Sequence, residues 1–322
     1  MTGPSLADIE QAARRLSSWL RPTSLLHSEW LSGVSGADVH IKVESLQPSH
    51  AFKIRGAVNA LSKLADAAGS KRPPIVTASA GNHGRAVALA ASRLGFSAVV
   101  FAPATAPRVK KDAIRRHGAQ LHETADYDAA EFEAREYARA HGAYYLSPYN
   151  NPDVIAGAGT MGLEIVAALP DVTTVVVPLG GGGLASGIGI AVKSLRSDVK
   201  VIGVEAEASR GFSESLARGA ITVIEPQPSL ADGLTGNLEP DSITFALVQQ
   251  YVDRVVAVSE AELADAVRGL AAEEHLIAEG AGAATIAATV AGRAVAAGER
   301  AAVILSGANI DLTRFTSVVA TA

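Results

Sequence analysis

Residues 175–186 read Val175-Val-Val-Pro-Leu-Gly-Gly-Gly-Gly-Leu-Ala-Ser186, an apolar run followed by four glycines and the beginning of a helical pattern. A buried strand, a short loop and a helix in succession are the repeating unit of α/β folds. Adjacent glycines let the backbone approach a ligand closely, and their N–H groups together form a nest that binds phosphate. This stretch therefore predicts an α/β protein with a phosphate-binding loop between a strand and a helix.

The same loop permits a second interpretation. Gly180, Gly182 and Ala185 fit the spacing G-x-G-x-x-A, and Glu205 closes the next apolar run. A dinucleotide site requires this glycine spacing and an acidic residue about 20 residues further on. An NAD-dependent oxidoreductase of the Rossmann type therefore remains open at this point.

Strand-like and helix-like segments alternate on both sides of the loop. Short apolar runs predict strands at residues 39–43, 75–78, 98–101, 174–178, 201–205 and 303–305. Helical periodicity predicts helices at residues 54–68, 83–94, 108–117, 127–141, 185–195 and 260–274. We expect residues 145–153 to connect two domains, and the irregular stretch 225–240 to form one wall of a site.

The composition narrows the classes of protein to consider. The 322 residues include 28 Lys and Arg, 33 Asp and Glu and no cysteine, and the net charge is −5. Disulfides, cysteine-bound metals and thiol nucleophiles are therefore excluded, and the mild, mixed charge argues against a nucleic-acid partner. The charged N-terminal segment does not resemble a signal peptide, and Pro178 and the glycines interrupt the uncharged stretch 172–192. We therefore expect no membrane span and a cytoplasmic location.

Lys53 is the first candidate for chemistry. If residues 52–65 form a helix, Ala57, Ala60 and Leu64 stack over Lys53, so the lysine lies on or beside the apolar face in the first turn. Burial and the positive end of a helix both lower the pKa of a lysine, and a neutral lysine can attack a carbonyl group. The ordinary alternative is a lysine whose stem packs on the core while its ammonium reaches water.

Two further segments follow predicted strands. Residues 77–84 read Thr-Ala-Ser-Ala-Gly-Asn-His-Gly, and the free N–H groups at such a helix start bind anions. Ser79 or Asn82 could instead simply cap the helix. Residues 304–311 read Ile-Leu-Ser-Gly-Ala-Asn-Ile-Asp, which puts Ser306 at the carboxyl end of a strand. Ligands bind there in α/β folds, although an ordinary turn fits as well.

Taken in order, these segments resemble the fold-type II pyridoxal-phosphate (PLP) enzymes, in particular the threonine/serine dehydratase and serine racemase branch. The most specific matches are Phe52-Lys-Ile-Arg-Gly-Ala57 and Ser79-Ala-Gly-Asn-His-Gly84. The resemblance implies an α/β fold with two open, twisted, mostly parallel sheets flanked by helices. It also implies a large PLP-binding domain formed by residues 1–53 and 149–322, a small mobile domain formed by residues 54–148, and a homodimer.

The resemblance further implies a role for each matching residue. Lys53 would be the Schiff-base lysine and the base that removes the Cα proton, with Phe52 beside the cofactor. Asn82 would bond the ring hydroxyl of the cofactor, Ser306 its pyridine nitrogen, and Glu279 would also belong to the cofactor site. The cofactor phosphate would be bound by the backbone of Gly180, Gly181, Gly182, Gly183 and Leu184. The amino-acid substrate would contact Ser79, Ala80, Gly81, His83 and Tyr149.

The implied activity is α,β-elimination from a β-hydroxy-α-amino acid, which yields a 2-keto acid and ammonia. Racemases of this branch carry a second serine where this chain has Ala80, so we expect dehydration rather than racemisation. The divalent-cation site of the branch resembles Glu205 here, but an acidic residue expected at Gly211 is missing, so we expect a weak metal site or none.

Two replacements bear on the substrate. Ala51 and Arg85 stand where the branch usually has Ser and Gln. Tyr149 would suit an aryl β-substituent, as in phenylserine, and Arg85 or Arg135 would suit an acidic one, as in 3-hydroxyaspartate. A racemase of the same fold, the NAD-dependent oxidoreductase and a non-catalytic binder of small molecules are the alternatives.

Overall fold

The computed structural model describes residues 2–79, 81–106 and 108–320, and its strands form two separate sheets. The strands are β1 (Leu25–His27), β2 (Asp38–Val43), β3 (Ile75–Ala78), β4 (Ala98–Pro103), β5 (Gln120–Thr124), β6 (Tyr144–Tyr145), β7 (Thr174–Pro178), β8 (Lys200–Ala206), β9 (Arg254–Val258) and β10 (Arg300–Leu305). The helices are α1 (Leu6–Leu16), α2 (Glu29–Ser35), α3 (Lys53–Ala68), α4 (Asn82–Leu94), α5 (Arg108–Arg116), α6 (Tyr127–His141), α7 (Pro152–Ala168), α8 (Gly183–Leu195), α9 (Gly211–Arg218), α10 (Ile243–Tyr251), α11 (Glu260–Ala272), α12 (Gly280–Val290) and α13 (Leu312–Ala320).

The larger sheet has the order β1-β2-β10-β7-β8-β9. Its pairs are parallel except for β1 and β2, which are antiparallel. The strand β10 is the last in the chain, yet it lies in the interior of the sheet between β2 and β7. Every residue of β7 is buried, as expected for a parallel strand covered by helices on both faces.

The smaller sheet has the order β5-β4-β3-β6, and all its pairs are parallel. Its strands all fall within residues 54–148, and the strands of the larger sheet all fall outside that range. The predicted fold class, two open and mostly parallel sheets flanked by helices, is confirmed. The division into a large domain and a mobile small one stays a prediction.

The predicted elements are all present, and their ends differ from the prediction by at most a few residues. The uncharged stretch 172–192 contains β7, the glycine loop and most of α8, as predicted. None of the helices within the described ranges is both long enough and apolar enough to cross a membrane. Several elements carry no clear sequence signal, among them α12, which is buried along almost its whole length and so lacks a polar face.

Helices α3, α7 and α8 pack with their backbones at very short distances. A Cβ atom at Gly157 of α7 would lie 2.5 Å from the carbonyl oxygen of Arg55 in α3. A Cβ atom at Gly187 of α8 would lie 2.4 Å from the carbonyl oxygen of Ile155 in α7. Only glycine permits such contact, so the backbones of the three helices are held together directly.

A buried network of charges also joins α3 to α7 and to the segment that follows β2. The Arg55 guanidinium pairs with Glu44 at 2.7 Å and with Glu164 at 2.6 Å, and Lys42 pairs with Glu164 at 2.5 Å. Burial by itself would raise the pKa of Glu44, but the Arg55 charge and hydrogen bonds hold that pKa below its usual value. The charges of the two cations and the two carboxylates therefore cancel within this network. Arg55, which joins them, lies two residues after Lys53 in the chain.

Candidate active site

Lys53 is the first residue of α3, and its Nζ lies 5.0 Å from the ring centroid of Phe52. The amine donates a 2.9 Å hydrogen bond to the carbonyl of Pro148, in the segment that leads from the smaller sheet to α7. Burial lowers the pKa of Lys53 to about 8. A sizeable fraction of the amine is therefore neutral in mildly alkaline solution, which favours the chemical interpretation of Lys53 over the ordinary one.

Ser306 and Gly307 join the start of α3 to the carboxyl end of β10. Strand β10 ends directly before Ser306, as predicted. The Ser306 carbonyl accepts a 3.0 Å hydrogen bond from the N–H of Phe52, and Ala51 forms an antiparallel bridge with Gly307. The buried Ser306 hydroxyl lies 3.5 Å from the carbonyl of Ala281, which is too long for a strong hydrogen bond, so this hydroxyl can still bond a ligand.

The four glycines turn the chain from β7 into α8. Gly182 has a φ of +82°, and a Cβ atom there would lie 2.5 Å from the Phe212 ring. A Cβ atom at Gly181 would lie 2.3 Å from the ring of Tyr149. No side chain in the described part of the chain caps α8, so the N–H groups of Gly183 and Leu184 face the space beyond the helix start. The loop has the geometry expected of a phosphate nest.

Asn82 is the first residue of α4, and it lies in a chain of hydrogen-bonded side chains. Its Nδ2 donates to Oε1 of Glu279, and its Oδ1 accepts a 2.6 Å hydrogen bond from Nδ2 of Asn309. The Oδ1 of Asn309 accepts a 2.5 Å hydrogen bond from Arg85. Burial raises the pKa of the Glu279 carboxyl group. The structure therefore brings Asn82 and Glu279, to which the family resemblance gives a cofactor role, into direct contact.

Ser79 and Gly81 lie in the turn between β3 and α4, and Ala80 between them lies outside the described residues. The Gly81 N–H donates a 3.2 Å hydrogen bond to Oγ of Ser79. A Cβ atom at Gly84 would lie 2.2 Å from the Ser79 carbonyl, so the turn closes tightly on the first turn of α4. This turn provides the compact helix start that the sequence predicts for a carboxylate site.

His83 faces the interior of the same turn. Its Nε2 lies 3.2 Å from the Leu146 carbonyl, so this nitrogen carries the proton. Burial, together with the positive charge of Lys53, lowers the pKa of His83 to about 3. Among the described residues its buried Nδ1 has no partner. His83 is therefore a neutral imidazole whose buried Nδ1 can accept a hydrogen bond.

Tyr149 packs against the glycine loop, but its hydroxyl is already engaged. The oxygen accepts a 2.8 Å hydrogen bond from the N–H of Glu239. The buried Glu239 carboxylate accepts a 2.6 Å hydrogen bond from Ser147 and pairs with Arg135 at 2.7 Å. Arg135 also pairs with Glu131 at 2.9 Å. Tyr149 thus forms a wall of the site, and Arg135 is held by two glutamates rather than left free for an acidic substrate.

Glu205, the weak metal candidate, lies in β8 and binds the start of α9. Its carboxylate accepts hydrogen bonds of 2.7 Å from the Phe212 N–H and 3.0 Å from the Ser213 N–H. The Ser213 hydroxyl donates a third. Burial raises the pKa of Glu205. The carboxylate is thus engaged within the protein, in a role that neither a metal site nor a ribose site requires. In the described ranges, no three His, Asp or Glu side chains group so as to hold a metal.

Sequence reasoning missed three participants in this site. The Pro148 carbonyl has no side-chain signal of its own. Glu239 lies within residues 225–240, which the sequence predicts as one wall of a site, but nothing in the sequence singles out this residue. Asn309 lies within the segment 304–311 quoted above, so its position after β10 was the one available signal.

Comparison with known proteins agrees with this geometry. The profile of the family described as "Pyridoxal-phosphate dependent enzyme" matches residues 16–307. The L-threonine ammonia-lyase of Thermotoga maritima is 42% identical over 98% of this chain and 78% of its own length. The catabolic L-threonine dehydratase of Escherichia coli strain K12 is 36% identical over 98% of this chain and 95% of its own length.

Among solved structures, maize serine racemase superposes with a TM-score of 0.91 at 29% identity, and the match covers 98% of this chain and 96% of that one. These similarities favour the PLP interpretation of the glycine loop over the dinucleotide one. The oxidoreductase interpretation gains no support from the structure either, because its acidic residue, Glu205, is bound to α9.

Proposed function

Because the chain belongs to the family of pyridoxal-phosphate dependent enzymes, we propose that it is a lyase that converts a β-hydroxy-α-amino acid of the threonine type to a 2-keto acid and ammonia. The observation that carries the proposal is the lowered pKa of Lys53. Burial keeps part of this amine neutral, and the amine lies beside the helix starts and strand ends that form the site. Threonine as the substrate is supported by relatives that are named as threonine ammonia-lyase or dehydratase.

The residues of the site fit the cofactor. Side chains are excluded at Gly181 and Gly182, where a Cβ would collide with aromatic rings, and the uncapped start of α8 offers N–H groups to a phosphate. Lys53 offers an amine to an aldehyde, and the Ser306 hydroxyl, lacking a strong partner, can bond a ring nitrogen. When bound, PLP supplies an aldehyde for covalent attachment of amines and a ring that accepts the electrons of the Cα–H bond.

The protein's own groups then have defined tasks. The turn at Ser79 and Gly81, with the neutral imidazole of His83 on its inner side, orients the substrate's carboxylate group. The neutral amine of Lys53 removes the proton from Cα, and the β-hydroxyl group takes up one proton and leaves as water, so that the proton removed and the proton consumed balance over the step. The released enamine takes up water and yields the 2-keto acid and ammonia. Ser306 is a neutral hydroxyl, so it does not keep a ring nitrogen protonated, which suits elimination better than chemistry that needs a long-lived carbanion.

The acidic and aryl substrates fit less well than threonine. Arg135 is bound by Glu131 and Glu239, and Arg85 donates to Asn309, so a substrate carboxylate would have to displace a partner of either one. Tyr149 packs tightly against Gly181, so it takes up space rather than opening a pocket for a phenyl group. We therefore rank 3-hydroxyaspartate and phenylserine below threonine and serine.

A substrate panel tests the proposal. Purified, PLP-loaded protein is given L-threonine, L-serine, 3-hydroxyaspartate and phenylserine, and release of 2-keto acid is measured. We expect the highest kcat/KM for L-threonine and its loss in Lys53→Ala. The matched control is Lys63→Ala, which alters an exposed lysine on the same helix that pairs with Asp153. A Lys53→Ala protein with full activity, or a panel without any keto-acid release, would refute the proposal.

The racemase alternative and the assembly need separate measurements. Chiral chromatography of L-serine incubated with the protein detects racemisation, which we expect to be slower than keto-acid release. The homodimer rests on the family resemblance. Size-exclusion chromatography with light scattering measures the mass of the assembly, and a homodimer has twice the 33.0 kDa of one chain.

A further inference from the structure

We propose that Asn309 is a positioning residue, which holds the side-chain amide of Asn82 with its nitrogen toward the cofactor and Glu279. The proposal rests on the cofactor role of Asn82 within the proposed function. Asn309 itself would not touch the reacting atoms; it would act through Asn82.

The contacts form one continuous chain from a cation to a carboxyl group. Arg85 Nη1 donates to Oδ1 of Asn309 at 2.5 Å. Asn309 Nδ2 donates to Oδ1 of Asn82 at 2.6 Å and to the carbonyl of Ser49 at 2.9 Å. Asn82 Nδ2 then donates to Oε1 of Glu279.

The sense of this chain is fixed at Asn309. An arginine guanidinium only donates hydrogen bonds, and a backbone carbonyl only accepts them. Arg85 must therefore face the oxygen of Asn309, and the Ser49 carbonyl must face its nitrogen. Both protons of Asn309 Nδ2 are used, one of them on Asn82. Asn82 must then present its oxygen to Asn309 and its nitrogen to the opposite side.

Glu279 does not fix the amide of Asn82 by itself, because a carboxyl group accepts when it is ionised and donates when it is protonated. Of the two Nδ2 protons of Asn82, one goes to Glu279, and within the described residues the other has no acceptor. That proton is the one available to the ring oxygen of the cofactor. If the amide were reversed, Asn82 would present an acceptor to this oxygen, and the hydrogen bond would become a repulsion.

Asn309→Asp is the sharpest test, because aspartate has nearly the same shape and only accepts hydrogen bonds when ionised. The carboxylate keeps Arg85 as a partner and gives up the hydrogen bond to the Ser49 carbonyl, and it must draw the nitrogen of Asn82 toward itself. We expect the dissociation constant of PLP, measured by titrating the apoprotein, to rise about tenfold, as for the loss of one hydrogen bond. Asn82, Arg85 and Asn309 line one cavity together with the exposed Arg116. Arg116→Met is therefore the control and should leave this constant unchanged.

A double-mutant cycle separates positioning from a purely structural effect. If Asn309 acts through Asn82, then Asn82→Ala and the double variant Asn82→Ala/Asn309→Asp should bind PLP equally weakly. The proposal would be overturned if the increases in the PLP dissociation constant caused by the two substitutions multiply in the double variant. It would also be overturned if Asn309→Asp alone leaves that constant unchanged. An unchanged affinity in Asn82→Ala would also overturn it, by removing its premise. None of these readouts depends on which amino acid is the substrate, so failure of the proposed function is recognised separately.

Discussion

Removal of the Arg55 guanidinium should leave one carboxylate, that of Glu44, buried in the core without its ion-pair partner. Arg55 makes five hydrogen bonds, two to Glu44, two to Glu164 and one to Thr160. Without it, Glu164 keeps Lys42 and is 18% exposed, whereas Glu44 is 0% exposed and keeps only the Thr23 hydroxyl as a hydrogen-bond partner. One uncompensated buried charge costs about 3–5 kcal/mol, so Arg55→Met should lower the free energy of unfolding by that amount.

The pH dependence of this loss identifies its cause. In the native protein Arg55 lowers the pKa of Glu44, so its contribution is present above the unfolded pKa and is lost as the pH falls. In Arg55→Met, burial raises that pKa with only the Thr23 hydroxyl and the charge of Lys42, which pairs with Glu164 rather than Glu44, to oppose it. The deficit is therefore largest at neutral pH and shrinks as acid protonates Glu44. Urea unfolding at neutral and mildly acidic pH measures both quantities, with the exposed Arg14→Met as the control.

Adding Glu44→Gln to Arg55→Met should restore part of the stability at neutral pH, since an amide carries no charge to desolvate. A deficit under about 1 kcal/mol, typical of surface ion pairs, or a deficit that does not change with pH would refute this reasoning.

Three further predictions concern the site. Gly181→Ala should raise the dissociation constant of PLP at least tenfold in apoprotein titrations, because the new Cβ would lie 2.3 Å from the Tyr149 ring; Gly211→Ala, whose Cβ meets nothing closer than 3.8 Å, is the control. The rate at which apoprotein takes up PLP should rise with pH and level off above about pH 8, because the neutral amine of Lys53 is the attacking form. A rate that keeps rising up to the ordinary lysine pKa of about 10.4 would contradict this. Tyr149→Phe should lower the free energy of unfolding by about 1–3 kcal/mol in thermal denaturation, because it leaves the buried N–H of Glu239 without an acceptor; unchanged stability would contradict the assigned hydrogen bond.

Features encoded by neighbouring residues could be predicted from the sequence. The glycine loop, Lys53 at the start of a helix and Ser306 after a strand each depend on a few consecutive residues, and the structure has all three. Lys53 was ambiguous because periodicity places a side chain beside an apolar face but does not say whether its end reaches water. The lowered pKa comes from burial among segments distant in the chain.

Features that depend on which segments meet could not be predicted. The partners of Asn82 lie 197 and 227 residues away along the chain. Arg135 reads as a free cation on a helix, but Glu239 comes from an irregular stretch and binds it. Side-chain chemistry indicates what a residue is able to bind, whereas the tertiary fold decides whether that capacity is already used.

The position of β10 has a consequence for how the protein is made. Strand β2 ends at Val43, but its interior neighbour β10 begins only at Arg300. During synthesis on the ribosome, one edge of β2 therefore stays without its partner strand for roughly 10 to 50 s at ordinary rates. The edge of β7 that pairs with β10 likewise lacks its partner until β10 is made, and Ser306 follows directly after β10. If Ser306 binds the cofactor as proposed, the cofactor site is complete only after β10 has been synthesised, and we expect nascent chains that stop before Arg300 to bind no cofactor.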